Sequence, residues 1–142
     1  MIFISHRGNL TGKHPQENHP DRINYCLSQE VEVEIDVWFV ENVFYLGHDK
    51  PQYKTDKIFL NNNHLWIHCK NVETLNQFRF NTNTNYFWHE NDTVALTSQR
   101  FIWAYPGKQP IRKSIAVMPE LYLDDITQCI GICSDYIQNY KK

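Results

Sequence analysis

Residues 31–37 read Val-Glu-Val-Glu-Ile-Asp-Val, an unbroken alternation of β-branched apolar and acidic side chains. A period of two is the signature of a strand, whose successive side chains leave opposite faces. Val31, Val33, Ile35 and Val37 therefore share one face, and Glu32, Glu34 and Asp36 the other. The apolar face demands a core to pack against. The acidic face has two readings: the wet side of a half-exposed strand, or a place where Glu34 and Asp36 aim oxygen atoms at one divalent cation that relieves their repulsion.

The surrounding chain supplies more strands and a few short helices. Ile2 to Ser5 is a short apolar strand running into the polar turn His6-Arg7-Gly8-Asn9. Pro20-Asp21-Arg22 opens a helix through Tyr25, Cys26 and Leu27. Glu41-Asn42 turns the long strand back into Val43 to Leu46, which ends at Gly47-His48-Asp49. Leu65 to His68 is a strand, followed by Asn71 as cap for a helix whose apolar face is Val72, Leu75 and Phe78. Tyr86 to Trp88, Phe101 to Ala104, Ser114 to Met118 and Ile130 to Cys133 read as strands, and Leu121 to Cys129 as holding a brief helix with Asp124 or Asp125 near its start. The runs Asn61-Asn62-Asn63 and Asn81 to Asn85 are polar connectors.

Strands separated by short helical segments predict an α/β domain with a largely parallel sheet. The 142 residues suit one domain spanning 1–142. A complete eight-unit barrel takes about 250 residues, so a barrel here is abbreviated, with several helices shortened or missing. A net charge of -2 offers no basic surface for nucleic acid. No stretch reaches the ~20 apolar residues of a membrane span, and MIFISHRGN lacks the pattern of a secretion signal, so the chain reads as soluble and cytoplasmic. Cys26, Cys69, Cys129 and Cys133 form no close pair and read as buried free thiols, structural zinc being the weaker alternative.

Polar residues cluster where strands end, the place where α/β sheets gather ligand-binding groups. His6 titrates near neutral pH and Arg7 offers a fork of donors suited to phosphate. His48 is a second proton-transfer group, with Asp49 beside it to hold its tautomer. Each also has the plain reading of a surface turn. Trp88, Trp103, Tyr105 and Tyr122 either border a polar site or fill a small core, and Lys108, Arg112 and Lys113 read as a charged surface loop. No G-x-S-x-G elbow or Cys-His constellation points to acyl chemistry.

Taken together, HRG (6–8), QEN (16–18), VEID (33–36) and GHD (47–49), in that order, resemble the glycerophosphodiester phosphodiesterase family, within the phosphatidylinositol-specific phospholipase C-like phosphodiesterases. The resemblance is strongest over residues 2–50. It implies an abbreviated TIM-barrel-like fold and metal-dependent hydrolysis of a glycerophosphodiester or related small phosphodiester, with Mg or Ca as cofactor. It further implies His6 and His48 as the acid/base pair, Arg7 on the phosphate, Glu17 and Asn18 as the family's Glu-Asn pair, and Glu34 and Asp36 as metal ligands. His19 stands where the family has threonine.

After residue 50 the family places a glutamate and a lysine two apart on a strand, and here His68 and Lys70 occupy those positions. Lys70 is then the second phosphate contact. The third metal ligand is open among Glu90, His68, Glu120 and water, with Glu90 slightly preferred because a carboxylate suits Mg or Ca better than an imidazole does. GICSDY near the end resembles the family's last strand and its Ser-Asp turn. The alternative to an enzyme is a catalytically inactive or altered phosphodiester-binding domain that keeps the site. Exposed edges of a shortened barrel make a homodimer an expectation.

Overall fold

The computed structural model describes all 142 residues. In chain order its elements are β1 (Ile2–His6), α1 (Pro20–Ser28), β2 (Glu32–Val40), β3 (Val43–Leu46), β4 (Tyr53–Thr55), α2 (Lys57–Leu60), β5 (Leu65–Cys69), α3 (Val72–Phe78), β6 (Asn85–Trp88), β7 (Val94–Leu96), β8 (Ile102–Ala104), β9 (Ile115–Val117) and β10 (Gly131–Ser134). Single 3-10 turns lie at Pro119–Leu121 and Ile137–Asn139. No helix is long and apolar enough to cross a membrane.

One ten-stranded sheet carries the fold. Parallel pairing runs β6, β5, β2, β1, β10, β9, β8, with β7 antiparallel on β8. The β3–β4 hairpin extends β2 beyond the end of β1: Glu34 O accepts from Arg7 N, and two residues on Asp36 O accepts from Gly47 N. That handover places the turn after β3 over the C-terminal end of β1. Opposite β3, Asn71 continues the pairing where β5 stops, its side chain bonding both the N–H and the C=O of Phe39.

The sheet curls until its far ends meet. Ser98 N donates to Tyr86 O at 2.8 Å, and Tyr86 N donates to Ser98 Oγ at 3.0 Å, linking β6 to the end of β7. Inside the curl Ile4, Trp66, Phe87, Trp103, Ile115, Val117 and Cys133 form one apolar cluster. Trp66 and Trp103 pack as tilted rings at 5.5 Å and Phe87 and Trp103 at 4.8 Å, although β5 and β8 stand five positions apart in the sheet. The outer face makes a second, larger core in which Val31, Val33, Ile35, Val37 and Ile67 pack beneath Ile23, Cys26, Leu60 and Phe78 of α1, α2 and α3. The architecture is an α/β, abbreviated TIM-barrel-like half-barrel with only three short helices.

The expected strands and the helices at 20 and 72 are present, with the boundary residues shifted by one or two. The helix expected within Leu121 to Cys129 is absent. Met118 and Leu123 both hold positive φ, and Asp125 Oδ1 bonds the N–H and hydroxyl of Thr127, a local closure that competes with helical bonding. Short elements β4, α2 and β7 have no periodicity strong enough to announce them. All four cysteines are free; Cys26, Cys69 and Cys133 are buried and Cys129 is half-buried.

Asn71 caps α3 through Thr74 N and also bridges to β2. Asn71→Ala is expected to lower unfolding free energy by about 1–3 kcal/mol, the sum of a lost cap and a strand bond left open. Urea denaturation of the two proteins measures it, and Asn71→Asp should recover the cap and the bond from Phe39 N–H but not the donation to Phe39 O.

Candidate metal centre at the strand ends

The side chains that leave the strand C-termini on the inner face converge on a cavity of about 330 Å³ bordered by His6, Arg7, Glu34, His48, His68, Lys70, His89 and Glu90, with Phe87, Trp103, Tyr105 and Val117 as its apolar wall. A wider cleft of about 800 Å³ opens among Asn61, Asn62, Asn63 and Asn83, but no titratable side chain lines it. Chemistry therefore belongs to the smaller cavity.

Asp36 is its anchor. The side chain is fully buried and Asn18 clamps it from two directions, donating Nδ2 to Oδ2 at 2.9 Å while accepting from the Asp36 N–H at 2.9 Å. Arg7 Nε stands 3.0 Å from Oδ2, off the N–H axis. On the other side His68 Nδ1 lies 3.0 Å and Lys70 Nζ 3.8 Å from Oδ1. Arg7 reaches this position because the chain turns through positive φ at Arg7 and Gly8 directly after β1; at Gly8 a Cβ would also press on Arg22 at 3.2 Å. Glu17 lies 3.5 Å from Arg7 Nη1.

Glu34, one strand step below Asp36, is also buried, and its Oε2 has no hydrogen-bond partner. Two imidazoles flank it, His68 Nδ1 3.8 Å from Oε1 and His6 Nε2 3.9 Å from Oε2. The two acids are driven apart electrostatically. Burial first and then the Asp36 charge raise the Glu34 pKa. Burial presses the same way on Asp36, but the His68 hydrogen bond and the Arg7, His68 and Lys70 charges outweigh it and hold Asp36 well below the usual carboxylate range.

His6 is tethered from behind: its Nδ1 meets Asp135 Oδ1 at 2.7 Å, which leaves Nε2 facing the cavity. Asn9, fully buried, holds that arrangement by donating to Asp135 Oδ1 at 2.8 Å and to Glu17 Oε1 at 2.7 Å. Burial opposes the charged imidazole, yet the Asp135 hydrogen bond and the Glu34 charge raise the His6 pKa above its ordinary value. His48 sits on the more open rim, its Nδ1 2.8 Å from Asp49. Burial and the Arg7 charge lower its pKa. The loop that presents it depends on Gly47, where a Cβ would lie 2.1 Å from Lys50 O.

The candidate third ligands separate. Glu34, Asp36 and His68 offer ligand atoms that all lie within 4.8 Å of one another. Glu90 is exposed on the cavity border, its N–H turned to Asp92. Glu120 is committed elsewhere, accepting from Ser134 Oγ at 2.7 Å and Tyr140 at 3.2 Å. The wet-face reading of β2 fails for the same reason that the cluster exists: the curl folds this face inward, leaving Glu34 and Asp36 buried and tying Glu32 to Trp66 Nε1 at 2.6 Å.

Sequence reasoning assigned no role to Asn9, His89 or Asp135. His89 stacks on Tyr105 at 3.5 Å and takes His68 Nε2 on its carbonyl oxygen at 3.3 Å. Asp135 had a visible signal, the Ser-Asp pair at the end of the last strand. Of the aromatics, Trp103 is core, Tyr105 borders the cavity, Trp88 packs on the outer core and Tyr122 is exposed. Lys108, Arg112 and Lys113 are exposed.

The residues fit a divalent cation: two carboxylates and an imidazole converge, and a buried carboxylate oxygen lacks any other partner. No protein-family model matches the chain, and no match was found among curated proteins or solved structures.

A raised Glu34 pKa means that folding binds a proton between the unfolded and folded values, so stability falls as pH rises through that interval. Glu34→Gln is therefore expected to raise the melting temperature of the metal-free protein at pH 7 by a few degrees, with the gain shrinking towards pH 4, where the native carboxyl is protonated as well. Thermal unfolding in chelator at both pH values tests the sign.

Proposed function

We propose that the chain is a metal-dependent phosphodiesterase acting on a small phosphodiester of the glycerophosphodiester type, in keeping with its resemblance to that family. The observation that carries the proposal is the shared cavity: Glu34, His68, the cations Arg7 and Lys70 and the histidines His6 and His48 all border the same about 330 Å³, and the buried Asp36 adjoins it with Oδ1 3.0 Å from His68 Nδ1 and 3.8 Å from Lys70 Nζ. A divalent ion bound there supplies positive charge to the non-bridging oxygens of a phosphoryl group.

The remaining roles fall to side chains of the chain itself. Arg7 and Lys70 orient the phosphodiester through charge-assisted hydrogen bonds. His48, whose pKa is lowered by burial and Arg7, is neutral at pH 7 and takes the proton of the attacking hydroxyl or water. His6, raised by Asp135 and Glu34 against the effect of burial, holds a proton on Nε2 and delivers it to the departing alkoxide. Two histidines with pKa values displaced in opposite directions are what an acid/base pair requires. Phe87, Trp103 and Tyr105 keep water from one side of the cavity.

Turnover is read from alcohol release by glycerophosphocholine and bis(p-nitrophenyl) phosphate across a series of divalent ions. His6→Ala and Glu34→Ala are each expected to lower kcat/KM by about 100-fold or more with the fold retained. Unchanged turnover in both would sink the assignment, and saturable binding without turnover in the native chain would mark a phosphodiester-binding module instead.

Asp135→Asn provides an independent check. Without that carboxylate the His6 pKa falls, so the alkaline limb of the pH–rate profile is expected to move to lower pH while the acid limb, set by His48, stays in place. A profile whose limbs shift together contradicts this division of roles.

A further inference from the structure

The geometry points to an imidazole-seeking divalent ion of the Zn2+ or Co2+ class, in preference to Mg2+ or Ca2+, as the cation taken by Glu34, Asp36 and His68. This rests on the metal part of the reading above and is independent of the reaction.

His68 is built as a ligand. Its ring is stacked on Phe87 at 5.1 Å with only 5° between planes, and Nε2 lies 3.3 Å from the carbonyl oxygen of His89. With Nε2 at that carbonyl, the ring presents Nδ1 to Asp36 Oδ1 at 3.0 Å and Glu34 Oε1 at 3.8 Å. Nδ1 and the two carboxylates thus converge within 4.8 Å of one another, a spacing that a cation in place of the ring proton would bridge. Donating the second ring N–H to a backbone carbonyl is how metal-bound histidines are usually held. Ligand bonds of about 2.1 Å at right to tetrahedral angles separate donor atoms by about 3.0–3.4 Å. The Asp36 pair already lies at that spacing, and Glu34 Oε1 stands 3.8 Å from Nδ1.

The donor inventory decides the class. Asp36 Oδ2 is taken by Asn18 with Arg7 beside it, leaving Oδ1, and Glu34, whose Oε1 faces His68, keeps Oε2 without a hydrogen-bond partner on a side chain only 4% exposed. Mg2+ and Ca2+ bind through six or more oxygens and gain little from imidazole. The nearby Arg7 and Lys70 weaken the purely electrostatic attraction on which those ions depend. Nitrogen ligation favours Zn2+ and Co2+ and survives that competition.

Calorimetric titration of the chelator-stripped full chain with ZnCl2, CoCl2, MgCl2 and CaCl2 tests the order. Zn2+ and Co2+ are expected to bind one site on the order of a hundredfold tighter than Mg2+ or Ca2+. Visible absorption of the Co2+ form should show ligand-field bands without a thiolate charge-transfer band. Glu34→Gln should abolish this binding. His68→Glu should weaken Zn2+ and Co2+ by about tenfold or more and strengthen Mg2+ and Ca2+. If His68→Glu fails to fold by circular dichroism, His68→Gln must lose Zn2+ and Co2+ binding. The inference is overturned if Mg2+ or Ca2+ binds as tightly as Zn2+, if no ion binds, or if Zn2+ binding survives these substitutions or carries a thiolate band. Because binding is read without substrate, intact metal preference with no phosphodiester turnover removes the reaction and leaves the metal assignment standing.

Discussion

A carboxylate sealed from water has to be surrounded by donors, and Asp36 draws its donors from separate parts of the chain. Arg7 follows β1, Asn18 precedes α1, and His68 and Lys70 come from β5 and its end. Desolvating such a charge costs several kcal/mol, and removing one partner typically costs about 3–5 kcal/mol because the charge stays buried. The ends of β1, β2 and β5 are therefore held in one relative position. The same requirement explains the local backbone: Arg7 and Asn18 both adopt positive φ, a conformation uncommon outside glycine, where their side chains turn inward.

Beneath this polar layer lies an aromatic floor. Full-length barrels fill their interior with layers of branched side chains; here Trp66, Phe87 and Trp103 occupy much of that space and pack against one another as tilted rings at 4.8–5.5 Å. Large rings let short strands of three to five residues close a curl that few helices brace, because each contributes contact with several strands at once. The outer core is aliphatic by contrast, built by Val33, Ile35, Val37 and Ile67 against the three helices. β2 serves both, with its apolar residues facing the helices and its acids turned into the curl.

The titratable groups are consequently sorted by depth. Glu34, deep and next to Asp36, is pushed upward by burial; His6 is protected from the same penalty by Asp135. His48, on a hairpin turn at the border, shifts downward because burial and the Arg7 and Lys70 charges outweigh Asp36 and Asp49. The fold thus sets different protonation preferences for side chains of the same type, and it does so through distance to buried charge.

The sequence by itself determined the local facts: the period-two pattern of β2 that puts Glu34 and Asp36 on one face, the cap at Asn71, the hairpin at Glu41-Asn42 and the arrival of His6 and His48 at strand ends. Those signals are legible because alternation, capping and turn chemistry depend on neighbours only a few residues away. Weak local signals hid β4, α2 and β7, and the run after Leu121 resembled a helix until the Asp125 side chain closed it as a turn. Only the tertiary structure decided that the acidic face of β2 is inside, because the curl of the whole sheet sets which face meets solvent. It also separated His68 from Glu90 and Glu120 as neighbours of the acid pair, and joined Asp135 to His6 across 129 residues of chain. Such contacts depend on how the strands pair, which no short window of sequence specifies.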